Sequence, residues 1–319
     1  MAERDKSFDF IKGFLIFLVV WGHVVQFFCI GNPLHNPTYI WIYSFHMPLF
    51  IFISGYFATR TVNGDITTCV KTRWHRLLLP ALIWTVVRFF SVNIHTVEEL
   101  GLLQSIYNSF RGIWFLYCLF ALYVIACLSF KLKYKYTLLI LAIIIGYVSY
   151  PYQPVDVLKH FQIIRQLPLF TLGLFYASHT TFANKFKWGG YLICLILYLV
   201  WLYIAIVEHK LLFSNETYLV RGVILVIASM VFFVTLKIIY KYIKRTKITQ
   251  VLVALGENTL GIYMLNGLMV YGLDGLIPKQ ESQISLFLFS IIITLICYGI
   301  TLLIKRNRTL KQYLLGEKR

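Results

Sequence analysis

Residues 10–30 read FIKGFLIFLVVWGHVVQFFCI, and this apolar stretch decides the fold class. As an α-helix it would be about 31 Å long, which matches the ~30 Å hydrocarbon core of a bilayer. The stretch is too long for the apolar region of a signal peptide, and it has no small-residue cleavage site. It therefore predicts a first membrane-spanning helix that remains in the protein.

Apolar runs of this kind recur along the chain of 319 residues, of which 59% are hydrophobic and only 13% are charged. Soluble domains are about a quarter charged, so the composition excludes a soluble globular protein. We predict an all-α, polytopic membrane protein that forms one integral-membrane domain over residues 1–319. The ten predicted spans are residues 10–30, 39–58, 77–94, 113–130, 136–150, 164–178, 189–207, 218–239, 252–273 and 284–304.

The chain carries a net charge of +17, with 30 Lys and Arg residues. A strongly basic chain is compatible with nucleic-acid binding, but in membrane proteins Lys and Arg also gather on the cytoplasmic side. Here 23 of the 30 fall in the N-terminal tail and first turn, the even-numbered loops and the C-terminal tail. This distribution favours membrane topology over nucleic-acid binding, and it predicts that both termini are cytoplasmic.

The six cysteines are scattered along the chain, and none of them has CxxC or CxxH spacing. Most lie inside apolar runs, where cysteine behaves as a small hydrophobic residue. The spacing therefore predicts neither a disulfide framework nor a metal site.

The first span contains two ionisable side chains, Lys12 and His23, which are costly in a bilayer and mark a candidate functional site. They are 11 residues apart, so a continuous helix places them on nearly one face, about 16 Å apart along the axis. Asp9, one turn before Lys12, can pair with it. Taken singly, Lys12 is also compatible with a lysine that extends to the interface, and His23 with a structural hydrogen bond to a neighbouring helix.

The second span contains His46, at a depth that can approach His23 if the span runs inwards from outside. Pro48 is expected to kink this helix, and Gly55 to permit the close approach of another helix. His46 is a second candidate for a catalytic role. On its own, His46 is more typical of a residue that makes a structural hydrogen bond.

Arg73 and Arg76 precede the third span and share a face if the helix begins early. Two guanidinium groups on one face can bind a phosphate bidentately, although lipid phosphate is an alternative partner. At the opposite membrane side, Arg111 with Trp114 and Arg165 begin the fourth and sixth spans. An aromatic ring beside polar donors is typical of a sugar platform, and Trp is also a common interfacial residue.

Six groups of sequence blocks together resemble the acyltransferase 3 family, particularly its fucose 4-O-acetylase-like branch, over nearly the whole chain. The blocks are residues 9–13 (DFIKG) with 21–23 (WGH), 45–50 (FHMPLF) with 54–56 (SGY), Arg73 and Arg76 before Pro80, 114–116 (WFL), 167–170 (LPLF) with Gly173, and 256–263 (GENTLGIY).

The resemblance implies about ten membrane helices, an acyl-CoA donor and transfer of the acyl group, often acetyl, to a hydroxyl. The acceptor is commonly a sugar of a surface polysaccharide or lipopolysaccharide, and the location is the cell inner (cytoplasmic) membrane. The resemblance also implies that the basic residue of the first span acts together with its histidine. Many members have Arg where this chain has Lys12, and members often have His where it has Asn266.

The sequence therefore predicts a membrane O-acyltransferase with acyl-CoA as co-substrate and with no metal and no resident cofactor. His23 is the expected general base, with Lys12 and His46 as further candidates. We expect Arg73 and Arg76 to bind CoA, and Arg111, Trp114 and Arg165 to bind the acceptor.

Two other classes of protein compete with this interpretation. A transporter or flippase of a lipid-linked saccharide would also line a pathway with intramembrane His and Lys. Against it, the sequence shows no repeated half and predicts no paired broken helices. A purely structural membrane protein is the third class, and the polar face of the first span disfavours it.

Overall fold

The computed structural model describes residues 5–131, 136–137, 139–141, 143–144, 162–179, 188–208 and 218–317, and the regular elements in these segments are helical. This confirms the all-α prediction for the described residues. Two π-helical turns, Trp74–Leu78 and Phe89–Asn93, interrupt the third apolar stretch. The α-helices are α1 (Lys6–Phe28), α2 (Pro37–Tyr43), α3 (His46–Val62), α4 (Ile66–Arg73), α5 (Leu79–Arg88), α6 (Val97–Leu100), α7 (Leu102–Arg111), α8 (Trp114–Phe130), α9 (Ile163–Ser178), α10 (Trp188–Glu208), α11 (Tyr218–Ile243), α12 (Lys247–Gly256), α13 (Thr259–Leu273), α14 (Gln283–Arg306) and α15 (Arg308–Leu315).

Several helices are long and apolar enough to cross a membrane, which confirms a multi-pass membrane protein. Among the described residues there are six such stretches, or up to eight if two bent helix pairs each form one span. The predicted ten spans are therefore not confirmed. The predicted sixth span corresponds to α9, whose 16 residues reach only about 24 Å. The predicted fifth span, residues 136–150, lies mostly outside the described residues.

Two pairs of consecutive helices meet at a sharp bend. This corrects the expectation that the chain has no paired broken helices. α7 and α8 meet at 68°, and α12 and α13 meet at 81°. The second bend divides the predicted ninth span, residues 252–273, into two helices. Asn258 leaves helical geometry there and its amide donates to the Ala254 carbonyl oxygen at 2.7 Å, which closes the end of α12.

The chain divides into two compact units, each built from two segments. Unit 1 comprises Met1–Phe50 and Phe186–Leu303, and unit 2 comprises Ile51–Lys185 and Ile304–Arg319.

In unit 1, α1 is mostly buried and packs against α2, α11, α12 and α13. The crossing of α1 with α12 is a backbone contact made possible by two glycines. A Cβ atom on Gly13 would overlap the Leu252 carbonyl, and one on Gly256 would overlap the Asp9 carbonyl. The DFIKG and GENTLGIY blocks of the sequence are therefore packed directly against each other.

In unit 2, α3 and α9 cross in a similar way. A Cβ atom on Gly55 would overlap the Phe170 carbonyl, and one on Gly173 would overlap the Phe52 carbonyl. This confirms the expected role of Gly55 in close helix approach, and it brings the SGY block against the LPLF block.

Unit 2 also contains a disulfide between Cys69 of α4 and Cys127 of α8, which contradicts the expectation that the cysteines form none. The two residues are 58 positions apart in the sequence, and they meet because α4 packs against α8. Spacing along the chain carries no signal for a pairing that depends on helix packing.

Candidate active site

His23 of α1 is hydrogen bonded to Asn266 of α13, at 2.6 Å between Nδ1 and the amide oxygen Oδ1. The asparagine is fully buried, and the histidine is half-buried in the C-terminal half of α1. Two polar side chains separated by 243 residues thus form one pair inside an apolar helix cluster. Such a pair is expensive to bury and marks a candidate functional site.

The orientation of the Asn266 amide determines which nitrogen of His23 carries the proton. Its Nδ2 group donates to the carbonyl oxygens of Ile262, at 3.0 Å, and Tyr263, at 2.6 Å. The amide oxygen therefore faces His23 and accepts the Nδ1 proton. A neutral His23 then has its lone pair on Nε2, which is the arrangement of a general base held by an orienting partner.

The bend between α12 and α13 places Asn266 beside His23. α12 is held against α1 at the Gly13–Gly256 crossing, and the chain then turns by 81° into α13. Asn266 follows two turns into that second helix. The sequence resemblance identified Asn266 as a position where family members often have His. It did not predict the contact with His23, which depends on the bend.

Lys12 lies on the same uninterrupted helix as His23, as the spacing predicts. Its ammonium group forms an ion pair with Asp9 at 2.7 Å, which confirms the predicted i,i+3 partner. The Asp9 side chain is only 3% exposed and that of Lys12 is 24% exposed, so the lysine remains accessible while its partner is buried.

Tyr43 of α2 connects the surroundings of His23 with His46. A Cβ atom on Gly22 would lie 3.0 Å from the Tyr43 ring, and the Tyr43 hydroxyl donates to Gln26 at 3.1 Å. The ring also meets His46 edge-on, with 4.8 Å between centroids. Sequence reasoning missed Tyr43 and Gln26, although a glutamine three residues after His23 in an apolar span is a polar signal that it could have used.

His46 is buried and its Nδ1 donates to the Ile42 carbonyl oxygen at 2.6 Å. This is the structural hydrogen bond that the sequence allowed as an alternative. The Tyr43 ring, which the His46 ring meets edge-on, also lies against Gly22, the residue before His23. His46 is thus brought into the same cluster as His23, with one ring nitrogen already engaged by the backbone.

Arg73 is held inside unit 2 by neighbouring side chains. Its guanidinium group donates to the Thr61 hydroxyl at 2.7 Å and lies 3.8 Å from the centroid of the Tyr123 ring. The Tyr123 hydroxyl in turn donates to the Ser54 carbonyl oxygen at 3.0 Å. These contacts stabilise the start of the π-helical turn and occupy much of the Arg73 side chain.

Arg76 is exposed and lines a cavity of about 320 Å³. The π-helical turn Trp74–Leu78 begins directly after Arg73 and contains Arg76, and its wider i→i+5 spacing rotates Arg76 relative to Arg73. The two residues that share a face in a regular α-helix therefore have different surroundings here. Besides Arg76, the cavity lining consists of Lys71, Thr72, His75, Gln312, Gly316 and Glu317.

The three predicted acceptor-binding residues lie near the ends of helices in unit 2. Arg111 is the exposed last residue of α7, Trp114 is the first residue of α8, and Arg165 is the half-buried third residue of α9. The bend between α7 and α8 is stabilised by Arg88, which is buried and packs over Gly112. The acceptor role of the three residues stays a prediction.

Three known proteins are similar to this chain over most of its length. Nodulation protein NolL of Sinorhizobium fredii is 28% identical over 306 residues, covering 88% of this chain and 81% of the relative. Nodulation protein NolL of Mesorhizobium japonicum is 27% identical over 312 residues, covering 88% and 80%. Inner membrane protein YcfT of Escherichia coli is 23% identical over 310 residues, covering 85% and 81%. No solved structure matches the chain.

A family model described as an acyltransferase domain matches residues 5–305, which is nearly the whole chain. The matched range includes His23, Asn266 and Arg76. Together with the apolar helices, this match establishes a membrane-embedded transferase and confirms the resemblance seen in the sequence blocks. The chain belongs to the acyltransferase 3 family.

Proposed function

We propose that this protein is an O-acetyltransferase that moves an acetyl group from acetyl-CoA to a sugar hydroxyl of a surface polysaccharide or glycan. The single observation that carries the proposal is the His23–Asn266 pair, in which Nδ1 is the donor and Nε2 has the lone pair. The proposed location is the cytoplasmic membrane, with both termini on the cytoplasmic side and one domain over residues 1–319.

In the proposed reaction, Nε2 of His23 accepts the proton of the sugar hydroxyl while the oxygen attacks the thioester carbonyl carbon. The carbon–sulfur bond then breaks, and the CoA thiolate takes the proton from the imidazolium. The products are an acetyl ester, free CoA and neutral His23. Asn266 stabilises the imidazolium through the Nδ1 hydrogen bond, and no acyl-enzyme is required.

Lys12 and His46 have supporting roles in this proposal. The Lys12 ammonium group, accessible and oriented by Asp9, is suited to bind an anionic part of the donor. The buried His46 holds the Tyr43 ring by edge-on contact and so shapes the surroundings of His23.

The acceptor site is proposed to include aromatic and polar side chains around His23. Tyr43 stacks on Tyr39, with 3.9 Å between ring centroids, and its hydroxyl is bonded to Gln26. Rings of this kind with hydroxyl and amide groups at their edges are suited to the faces and hydroxyls of a sugar. Arg111, Trp114 and Arg165 remain proposed acceptor contacts from the sequence.

We expect Arg76→Ala to raise the KM for acetyl-CoA at least tenfold, because a charge-assisted phosphate bond is worth about 1.5–3 kcal/mol. Arg73→Ala should instead lower the yield of folded protein, because it removes the contacts with Thr61 and Tyr123. Initial rates at varied donor concentration measure the first effect, with the exposed Arg245→Ala as the control. An unchanged KM in Arg76→Ala would mean that this arginine contacts lipid only.

The proposed function is tested with acetyl-CoA labelled in the acetyl group. Membranes containing the protein should transfer the label to the glycan fraction and release an equal amount of free CoA. Mild base should remove the label, because an O-acetyl ester is hydrolysed under conditions that leave an amide intact.

The alternative function is a saccharide transporter or flippase, and the observation in its favour is the two bent helix pairs. It predicts movement of the saccharide without CoA release. Label in the glycan together with CoA release supports the transferase, and saccharide movement without either supports the transporter.

A further inference from the structure

A basic cavity in unit 2 is closed on one side by the C-terminal segment of the chain. Lys71, His75 and Arg76 come from α4 and the π-helical turn, and Gln312 and Glu317 come from α15 and the residues after it. An adjoining cavity of about 340 Å³ shares Arg76 and Glu317 and adds Lys311 to the lining. Among the described residues, Glu317 is the single carboxylate that lines either cavity.

The C-terminal segment is fixed in this position by specific contacts. The Trp84 indole donates to the Leu314 carbonyl oxygen at 2.9 Å, and Leu315 is buried. Gly316 then adopts a positive φ of 62°, and a Cβ atom on it would lie only 2.6 Å from the Arg76 carbonyl oxygen. The tail therefore turns directly over Arg76, which a residue with a side chain would hinder.

The turn at Gly316 brings the Glu317 carboxylate between two lysines. It is 2.6 Å from the Lys305 ammonium group and 3.3 Å from that of Lys311. The three side chains are each 24–35% exposed, so solvent and a ligand can reach them. An anion supplied by the chain itself thus occupies the rim of a cavity whose other charged side chains, in the part of the chain that the structure describes, are basic.

We propose that the C-terminal segment completes the binding site for the phosphates of the acyl donor, and that Glu317 is an internal anion that these phosphates displace. The inference rests on the proposed use of acyl-CoA and identifies the wall of its site. The CoA phosphates would bind Arg76 and Lys71 on one side and Lys311 on the other, with charge-assisted hydrogen bonds. A cavity of about 320 Å³ is within the usual size of ligand sites.

The proposed displacement of Glu317 predicts whether removal of its charge strengthens or weakens donor binding. In the unliganded protein the carboxylate holds Lys305 and Lys311 and repels an incoming phosphate. Removing its charge should therefore strengthen donor binding. A carboxylate that only anchors the tail would have the opposite effect, because its loss would release a wall of the site.

The test is CoA binding to the full-length protein in detergent, measured by titration calorimetry at low ionic strength. We expect Glu317→Gln to lower the Kd for CoA about three- to tenfold, as for the loss of partly exposed ion pairs. Asp274→Asn is the matched control, because Asp274 is paired with Lys279 at 3.1 Å, is 41% exposed and is not among the lining residues. The difference between the two variants should shrink in high salt.

Lys311→Gln supplies a second measurement, and it should raise the Kd for CoA about three- to tenfold while Glu317 is intact. If the unaltered protein binds CoA but Glu317→Gln binds it no more tightly than Asp274→Asn does, the inference about Glu317 is wrong. The proposed function is not affected by that result. If the unaltered protein does not bind CoA, the proposed donor is wrong and this inference is wrong with it.

Discussion

Replacing His23 with alanine is expected to lower the rate of acetyl transfer by about 10²–10⁴-fold, with little change in donor binding. The physical reason is the loss of the imidazole whose Nδ1 donates to the buried Asn266 and whose Nε2 has the lone pair. A sugar hydroxyl is a poor nucleophile at neutral pH, so removal of the base acts on the chemical step. The measurement is label transfer to the native glycan at matched membrane abundance.

His23→Gln separates proton transfer from hydrogen bonding, because an amide can bond to Asn266 but cannot take the proton. We expect it to be as impaired as His23→Ala. The exposed His35→Ala variant controls for the loss of a histidine as such and should retain activity. Near wild-type transfer by His23→Ala would remove this residue from the mechanism and leave His46 as the next candidate base.

The second large effect is expected for Gly256→Ala, which places a methyl group where the Asp9 carbonyl lies. The backbones of α1 and α12 must then separate, and overpacking of this kind costs about 1–3 kcal/mol or more. The separation also shifts Asp9, Lys12 and the start of α13. We therefore expect both a lower midpoint of thermal unfolding and a loss of transfer.

The matched control is Gly299→Ala in α14, where an added Cβ has no atom within 4 Å. Alanine is favoured over glycine in a helix interior by up to about 1 kcal/mol, so this variant should be neutral or more stable. Thermal unfolding of the purified variants in detergent measures the difference. Equal midpoints for Gly256→Ala and Gly299→Ala would contradict the backbone crossing.

The sequence predicted the parts of the site that depend on local pattern. The length of the apolar run predicted α1, and the 11-residue spacing placed Lys12 and His23 on one continuous helix. The i,i+3 spacing predicted the pair of Asp9 with Lys12. These relations hold within a single helix, where the 3.6-residue period determines which side chains are neighbours.

What the sequence could not predict depends on contacts between distant segments. The bend after Gly256 determines that Asn266 meets His23, and no residue spacing encodes that meeting. The same holds for the disulfide of Cys69 with Cys127.

The prediction that Arg73 and Arg76 act together assumed a regular α-helix. Instead, a π-helical turn begins directly after Arg73 and contains Arg76. Arg73 contacts Thr61 and Tyr123, whereas Arg76 lines the cavity.

The central claim is that Asn266 acts through His23, and a double-mutant cycle on the rate of acetyl transfer tests it most directly. We expect Asn266→Ala to lower the rate about tenfold or more in the unaltered protein, because the imidazole loses the partner that sets its tautomer. In the His23→Ala background, Asn266→Ala should cause no further loss. The same factor of loss in both backgrounds would contradict the claim, because it would show that the two residues contribute independently.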